Sequence, residues 1–251
     1  GRRSCRPVQS RAKGFIYDQI RFMTRFDVAI IDGGQGGYVA AIRAAQLGFS
    51  VACIEREALG GVCLNWGCIP SKSLIRNAEV LNTVRGAADF GISVGQIEAD
   101  YSVAVERSRK VVDRLTRGVA ALFKKHGVTR LEGHAELMGP HTIALGDERV
   151  EATNIIIATG ARPRLAPGIE IDGETVVTYR EAILQETAPR DAVIVGGGAI
   201  GLELGFVYNA YGAKVTVVEA LSRILPNEDD EVSTALARSL RKQGLDVLTD
   251  S

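Results

Sequence analysis

The sequence predicts an α/β protein made of two copies of one parallel-sheet unit, and three observations carry that prediction. The first is an internal repeat. Segment 27–55, DVAIIDGGQGGYVAAIRAAQLGFSVACIE, and segment 191–219, DAVIVGGGAIGLELGFVYNAYGAKVTVVE, align without a gap at an offset of 164. The second is glycine, 28 of 251 residues, above the usual share of about 7% and clustered in loops rather than spread. The third is element order: each copy reads as a short apolar run, a glycine cluster, a helix-length stretch and a second β-rich run ending in Glu55 or Glu219. Strand–loop–helix–strand is the front of a βαβ unit.

Taken along the chain, residues 1–26 carry seven Lys/Arg against one acid, Asp18. This Arg-rich stretch reads either as upstream sequence before a start at Met23 or as an organelle transit peptide. The strand pattern starts at Asp27. Tyr101–His126 has Val105, Val112, Leu115, Val119, Leu122 and Phe123 at helical spacing with Gly127 beyond, predicting a long amphipathic helix. Residues 128–160 read as short strands, with turns at Met138–Pro140 and Gly146–Asp147 and a buried-type strand at Asn154–Gly160. Ala161–Ile171 is the expected boundary, dividing 27–165 from 166–251. Glu231–Gly244 reads as a helix. Leu245–Leu248 begins a strand that Ser251 soon closes, so the second unit is expected to be truncated.

Composition excludes several functional classes. Lys+Arg and Asp+Glu are each 30, which points to no nucleic-acid partner. Outside the basic leader, 23 basic residues face 29 acidic ones. No apolar run reaches the roughly 18 residues that would span a membrane. Four cysteines are too few for a secreted disulfide scaffold. His126, His134 and His141 do not complete a zinc pattern with the cysteines, so no metal is expected.

The second copy has Gly196, Gly198 and Gly201 in G-x-G-x-x-G spacing, with Glu219 eighteen residues after the last glycine. A strand, this loop, a helix and a following acid form the dinucleotide pattern of Rossmann-like folds: a tight turn, backbone room for a pyrophosphate and a carboxylate for a ribose hydroxyl. Glu219 disfavours a 2′-phosphate, so NAD is expected over NADP, although Arg223 lies near enough to offset that charge. In the first copy Gly34, Gly37 and Glu55 keep the pattern, but Asp32 replaces the first glycine. Asp32 puts a Cβ and a negative charge where a pyrophosphate would approach, so it reads either as the mark of a weakened nucleotide site or as a sequence error or mutation; the register match to the second copy favours a nucleotide site in both cases.

Cys63 and Cys68 lie five apart in GGVCLNWGCIPSK, residues 60–72. In one regular helix that spacing is about 7.5 Å along the axis, beyond the roughly 7 Å Cα limit for a disulfide. Pairing would need a distorted turn, which Gly67 and Pro70 permit; two buried structural cysteines are the plain alternative. Cys5 and Cys53 read as incidental.

GGVCLNWGCIPSK, together with the two nucleotide loops and Thr153–Gly160, resembles the class I pyridine nucleotide-disulfide oxidoreductases, most of all their lipoamide dehydrogenase branch. The resemblance implies two Rossmann-like domains with parallel central sheets, the first for FAD and the second for NAD, and the absence here of a C-terminal dimerisation domain. It implies FAD contacts from Gly34, Gly36, Gly37, Glu55, Gly61, Val62, Lys72, Gly133, Ala135, Thr159, Gly160 and Ala161. NAD would be held by Gly196, Gly198, Ile200, Gly201, Glu203 and Glu219. Catalytic roles fall to a Cys63–Cys68 disulfide, with Cys63 the more accessible sulfur and Cys68 against the flavin, and to a Lys72–Glu203 pair. Implied partners are dihydrolipoamide or the lipoyl domain of 2-oxoacid dehydrogenase or glycine cleavage complexes, and a second copy in a homodimer. Implied location is the bacterial cytoplasm, or a mitochondrion or plastid if residues 1–26 are a transit peptide. The family's acid–base His–Glu pair has no counterpart in this chain, so it is expected to be an inactive fragment. A related disulfide reductase of glutathione or mercuric type, and a redox-dead binding relative marked by Asp32, remain as alternatives.

Overall fold

The computed structural model describes residues 23–251; residues 1–22 of the basic leader, with Cys5, lie outside the described residues. Strand β1 (Met23–Ile31) begins four residues before Asp27. Phe26 is buried and pairs with Ala152, so residues 23–26 belong to the sheet rather than to the extension assigned to 1–26.

Helix α1 (Gln35–Gln46) leads to β2 (Val51–Glu55), parallel to β1 from Val28 opposite Val51 to Ile31 opposite Ile54. Two helices follow, α2 (Gly61–Asn65) and α3 (Cys68–Arg85). The long helix α4 spans Tyr101–His126. The Asp100 side chain accepts from Ser102 N–H to cap it, and Gly127 ends it in the left-handed conformation at φ 72°, which a glycine adopts without steric cost. Val105, Val112, Val119 and Phe123 are buried, but Leu115 and Leu122 are exposed. Residues seven apart stay on the buried seam, and these two leucines fall three residues beyond it, at its rim.

Strands β3 (Thr129–Glu132), β4 (Ala135–Gly139), β5 (Thr142–Leu145) and β6 (Glu148–Ile157) complete the first sheet. Its order is β3-β2-β1-β6-β5-β4. The β3-β2-β1-β6 part is parallel, while β4, β5 and β6 form an antiparallel extension. Ile157, expected in a buried strand, is 61% exposed where β6 runs out at its C-terminal end.

Residues 158–178 hold no helix or strand. The single-turn α5 (Tyr179–Ala182) carries a capping box from Thr178 and Glu181. Then β7 (Asp191–Val195), α6 (Ala199–Ala210), β8 (Lys214–Val218), α7 (Asp230–Lys242) and β9 (Asp246–Leu248) build a parallel sheet of order β7-β8-β9. Helices α1 and α6 each have 12 residues and begin at the repeat offset. The copies differ at one edge. Strand β1 is flanked on both sides, while among the described residues β7 borders only β8 and leaves Val193 72% exposed.

Among the described residues, three apolar clusters form the core. One packs α1, α2 and α4 on one face of the first sheet, around Ile30, Val51, Leu64 and Phe123. Another fills the opposite face around Ala29, Ile54 and Ile143. The largest joins Leu74 and Ala78 of α3 and Tyr101 of α4 to Leu202, Val207 and Tyr208 of α6 and Val215 and Val217 of β8. Helix α3 is therefore the shared wall between the two sheets. No described helix is long and apolar enough to cross a membrane.

Candidate active site

Parallel strands bring their C-terminal ends to one edge, where ligands of such sheets bind. The loops after β1, β2, β3 and β6 therefore gather Asp32–Gly37, Glu55, Gly133 and Thr159–Ala161 at one edge of the first sheet. Within this edge, Gly33 N–H donates to Glu55 Oε2 at 2.8 Å and Glu57 N–H to Glu55 Oε1 at 2.7 Å. Gly133 N–H donates to the Glu55 carbonyl at 3.0 Å, and Ala135 opens β4. A Cβ on Gly37 would lie 1.9 Å from the Asp32 carbonyl oxygen, so α1 packs on the loop backbone there. Gly36, on the same turn, has space.

The second loop repeats this hydrogen bonding at the same offset. Gly197 N–H donates to Glu219 Oε2 at 2.7 Å and Leu221 N–H to Glu219 Oε1 at 2.9 Å. A Cβ on Gly201 would lie 2.8 Å from the Gly196 carbonyl oxygen. Glu55 and Glu219, both buried, thus brace their own loops. A carboxylate has about four acceptor positions, and each still has capacity for a ribose hydroxyl. Gly198 is the N-cap of α6, and Ile200 is exposed on its first turn. Arg223 is engaged elsewhere, paired with Asp230 and donating to the Pro226 carbonyl at 2.9 Å.

Residues 60–72 lie directly against the first loop. Gly60 N–H donates to the Gly33 carbonyl at 2.9 Å, and a Cβ on Gly61 would lie 2.6 Å from Gly34 Cα. Cys63 and Cys68 form a disulfide with Cα atoms 4.7 Å apart. The helical spacing that disfavoured the bond does not apply, because the chain leaves α2 at Trp66 and starts α3 at Cys68, with Gly67 between. Cys63 is half-buried among the residues of the first cluster, with Val62 beside it, while Cys68 is exposed. Cys63 lies inside α2, and Cys68 stands at the N-terminus of α3. Burial first, then the charges of Glu55 and Asp32, pushes the Cys53 thiol up to about 12, which makes it an inert core residue.

Lys72 Nζ pairs with Glu203 Oε1, joining α3 to α6, and Ser71 Oγ donates to Glu203 Oε2 at 3.1 Å. Sequence reasoning missed this serine, whose only signal was its place beside Lys72. It also passed over two arginines. The Arg180 guanidinium lies 4.0 Å from the Trp66 ring centroid and pairs with Glu57. Arg109 of α4 donates to the Asn65 carbonyl at 2.6 Å, and burial lowers its pKa. Asn65 Nδ2 donates back to Leu59 and Gly61 carbonyls at 3.0 and 2.9 Å. The two arginines lie 44 and 114 residues away from Asn65 and Trp66, beyond any local pattern. Among the described residues no group of His, Cys, Asp and Glu could hold a metal ion.

Comparison with known proteins agrees with this geometry. The pyridine nucleotide-disulphide oxidoreductase family profile matches residues 26–251. The chain belongs to that family. It is similar to dihydrolipoyl dehydrogenase of Chlorobaculum parvum, 46% identical over 89% of this chain and 49% of that protein. It is 47% identical to the protein of the same name from Mycobacterium bovis, over 90% of this chain and 50% of that one. Among solved structures, LpdA of Mycobacterium tuberculosis superimposes with a TM-score of 0.81 at 26% identity, covering 91% of this chain and 51% of that one. The HOCl-induced flavoprotein disulfide reductase RclA of Escherichia coli superimposes at 0.76 and 28% identity, over 90% of this chain and 49% of that one. The chain spans about half the length of the curated relatives it matches.

Proposed function

We propose that this chain is the flavin- and NAD-binding half of a dithiol oxidase that converts dihydrolipoamide, free or on a lipoyl domain, to lipoamide. Residues 27–165 would carry FAD and 166–251 NAD. The observation that carries the reading is the Cys63–Cys68 disulfide in a segment whose Gly60 and Gly61 lie backbone-to-backbone against a dinucleotide-type loop. The cradle suits FAD in its backbone: glycines stand where Cβ atoms would collide, and Gly34 at the N-cap of α1 has no side-chain cap, leaving first-turn N–H groups for phosphate. Asp32 is the exception within it.

The chain's own residues account for the thiol steps. A substrate thiolate attacks Cys63 Sγ, forming a mixed disulfide and expelling Cys68 as thiolate. The second substrate thiolate then displaces Cys63, so the substrate leaves as a disulfide and the chain holds the electron pair as a dithiol. Exposure by itself favours attack at Cys68. Leaving-group stability favours Cys63 as the target, because the Cys68 sulfur sits at the N-terminus of the 18-residue α3, whose dipole favours an anion. FAD, when bound, supplies an acceptor for that electron pair and a hydride donor to nicotinamide. Lys72, held by Glu203, places a positive charge beside the disulfide helix. With Arg223 tied to Asp230, Glu219 faces the ribose without a cation to receive a 2′-phosphate, which favours NAD. A homodimeric whole enzyme is part of the same proposal.

The test is to saturate the purified chain with FAD and record its visible spectrum before and after dithiol. Bound flavin with a new long-wavelength absorption from a neighbouring thiolate, lost in Cys68→Ser, is the expected result. Absence of flavin at saturating FAD overturns the site. Bound flavin without the band removes Cys68 from its role.

A further inference from the structure

Asp32 is more than a missing glycine. Its backbone is held in place: N–H donates to the Ile54 carbonyl at 2.8 Å, and its own carbonyl oxygen lies against Gly37. It sits at φ +82°, a region that Asp tolerates better than most residues, and Gly196 holds the same position at φ +103° in the second loop. The side chain turns inward. Oδ1 accepts the Gly34 N–H at 2.7 Å. Gly34 caps α1, so this carboxylate lies at the positive end of a 12-residue helix, in the position where such loops bind phosphate.

We propose that Asp32 is a built-in competing anion that sets the first loop's affinity for FAD, while the second loop carries no equivalent. This rests on the reading of the first loop as a flavin site. Binding a pyrophosphate there requires the Asp32 carboxylate to give up the Gly34 N–H and to leave, or the two negative charges to share one helix terminus. A hydrogen bond to a charged group contributes about 1.5–3 kcal/mol, equivalent to roughly ten- to hundredfold in affinity.

The experiment titrates the 251-residue chain and its Asp32→Gly, Asp32→Ala and Asp32→Asn variants with FAD, followed by quenching of flavin fluorescence. NADH titration of the second loop serves as internal control and thermal melting reports folding. Asp32→Gly and Asp32→Ala should bind FAD at least about tenfold tighter than the parent, with NADH affinity unchanged. Alanine keeps a Cβ at positive φ, so a gain in both variants separates removal of the anion from relief of backbone strain. Asp32→Asn, which keeps an acceptor for Gly34 without the charge, should fall between. FAD affinities within twofold of the parent in both Gly and Ala variants overturn the proposal and leave the flavin site standing. A gain in Asp32→Gly alone also overturns it, since strain then accounts for the effect. Cooperatively melting variants that bind NADH and no FAD overturn the flavin site and the proposal with it.

Discussion

Gly37 and Gly36 are neighbours on the first turn of α1 with opposite tolerance for a side chain. A methyl on Gly37 would lie 1.9 Å from the Asp32 carbonyl oxygen, while one on Gly36 would meet only the Ala158 Cβ, at 3.8 Å. Gly37→Ala should therefore destabilise by about 1–3 kcal/mol or more, as overpacking of a fixed backbone does. Gly36→Ala should be neutral or stabilise by up to about 1 kcal/mol through helix propensity. Chemical denaturation of both variants checks the pair, and an equal loss in both would show that the loop yields. Asp32 marks how far sequence reaches at this scale. Its departure from the glycine pattern was legible, but its bond to Gly34 N–H depended on a backbone dihedral that sequence does not display.

The break between α2 and α3 is the element-scale feature that matters most. It turns a spacing unfit for a disulfide within one helix into a Cα separation of 4.7 Å, and it leaves Cys68 at a helix N-terminus. After reduction in the absence of FAD, limiting iodoacetamide should label Cys68 before Cys63, read by peptide mass mapping, because Cys68 is both exposed and dipole-stabilised. Faster labelling of Cys63 would remove the leaving-group assignment. The same break is clamped by Arg180, stacked on Trp66. Trp66 is the single tryptophan in the chain, so its fluorescence reports the clamp directly. Arg180→Ala should shift its emission to the red and lower stability by about 0.5–2 kcal/mol, whereas unchanged emission would mean that the ring is held without the guanidinium. The helix break was legible only as a permission from Gly67 and Pro70. Arg180 was not legible at all, being a tertiary partner from beyond the boundary segment.

At the scale of the molecule, two sheets are joined by residues 158–178 and by the wall of α3, and carboxylates brace the join. Asp172 Oδ1 accepts from the N–H groups of Glu174, Thr175 and Val176, each at 2.8 Å, and these bonds, that of Glu174 first, lower its pKa. A folded pKa below the unfolded aspartate value of about 3.9 contributes stability that is fully present above that value. It is lost as pH falls through the folded pKa. Asp172→Asn should thus melt below the parent at pH 7, with the gap closing in acid below about pH 4; a gap independent of pH would place the effect in packing. The sequence by itself determined the repeat, the parallel units, α4 to the residue, and the positions of both glycine loops, because these depend on periodicity and local backbone sterics. Tertiary structure alone decided the early start of β1, the antiparallel extension, and the break that sets Cys63 and Cys68 in two separate helices. It also decided that Arg223 is paired with Asp230 and that Arg180 lies over the Trp66 ring. Such features depend on which surfaces meet when α3 is buried between two sheets, and no local pattern encodes that meeting.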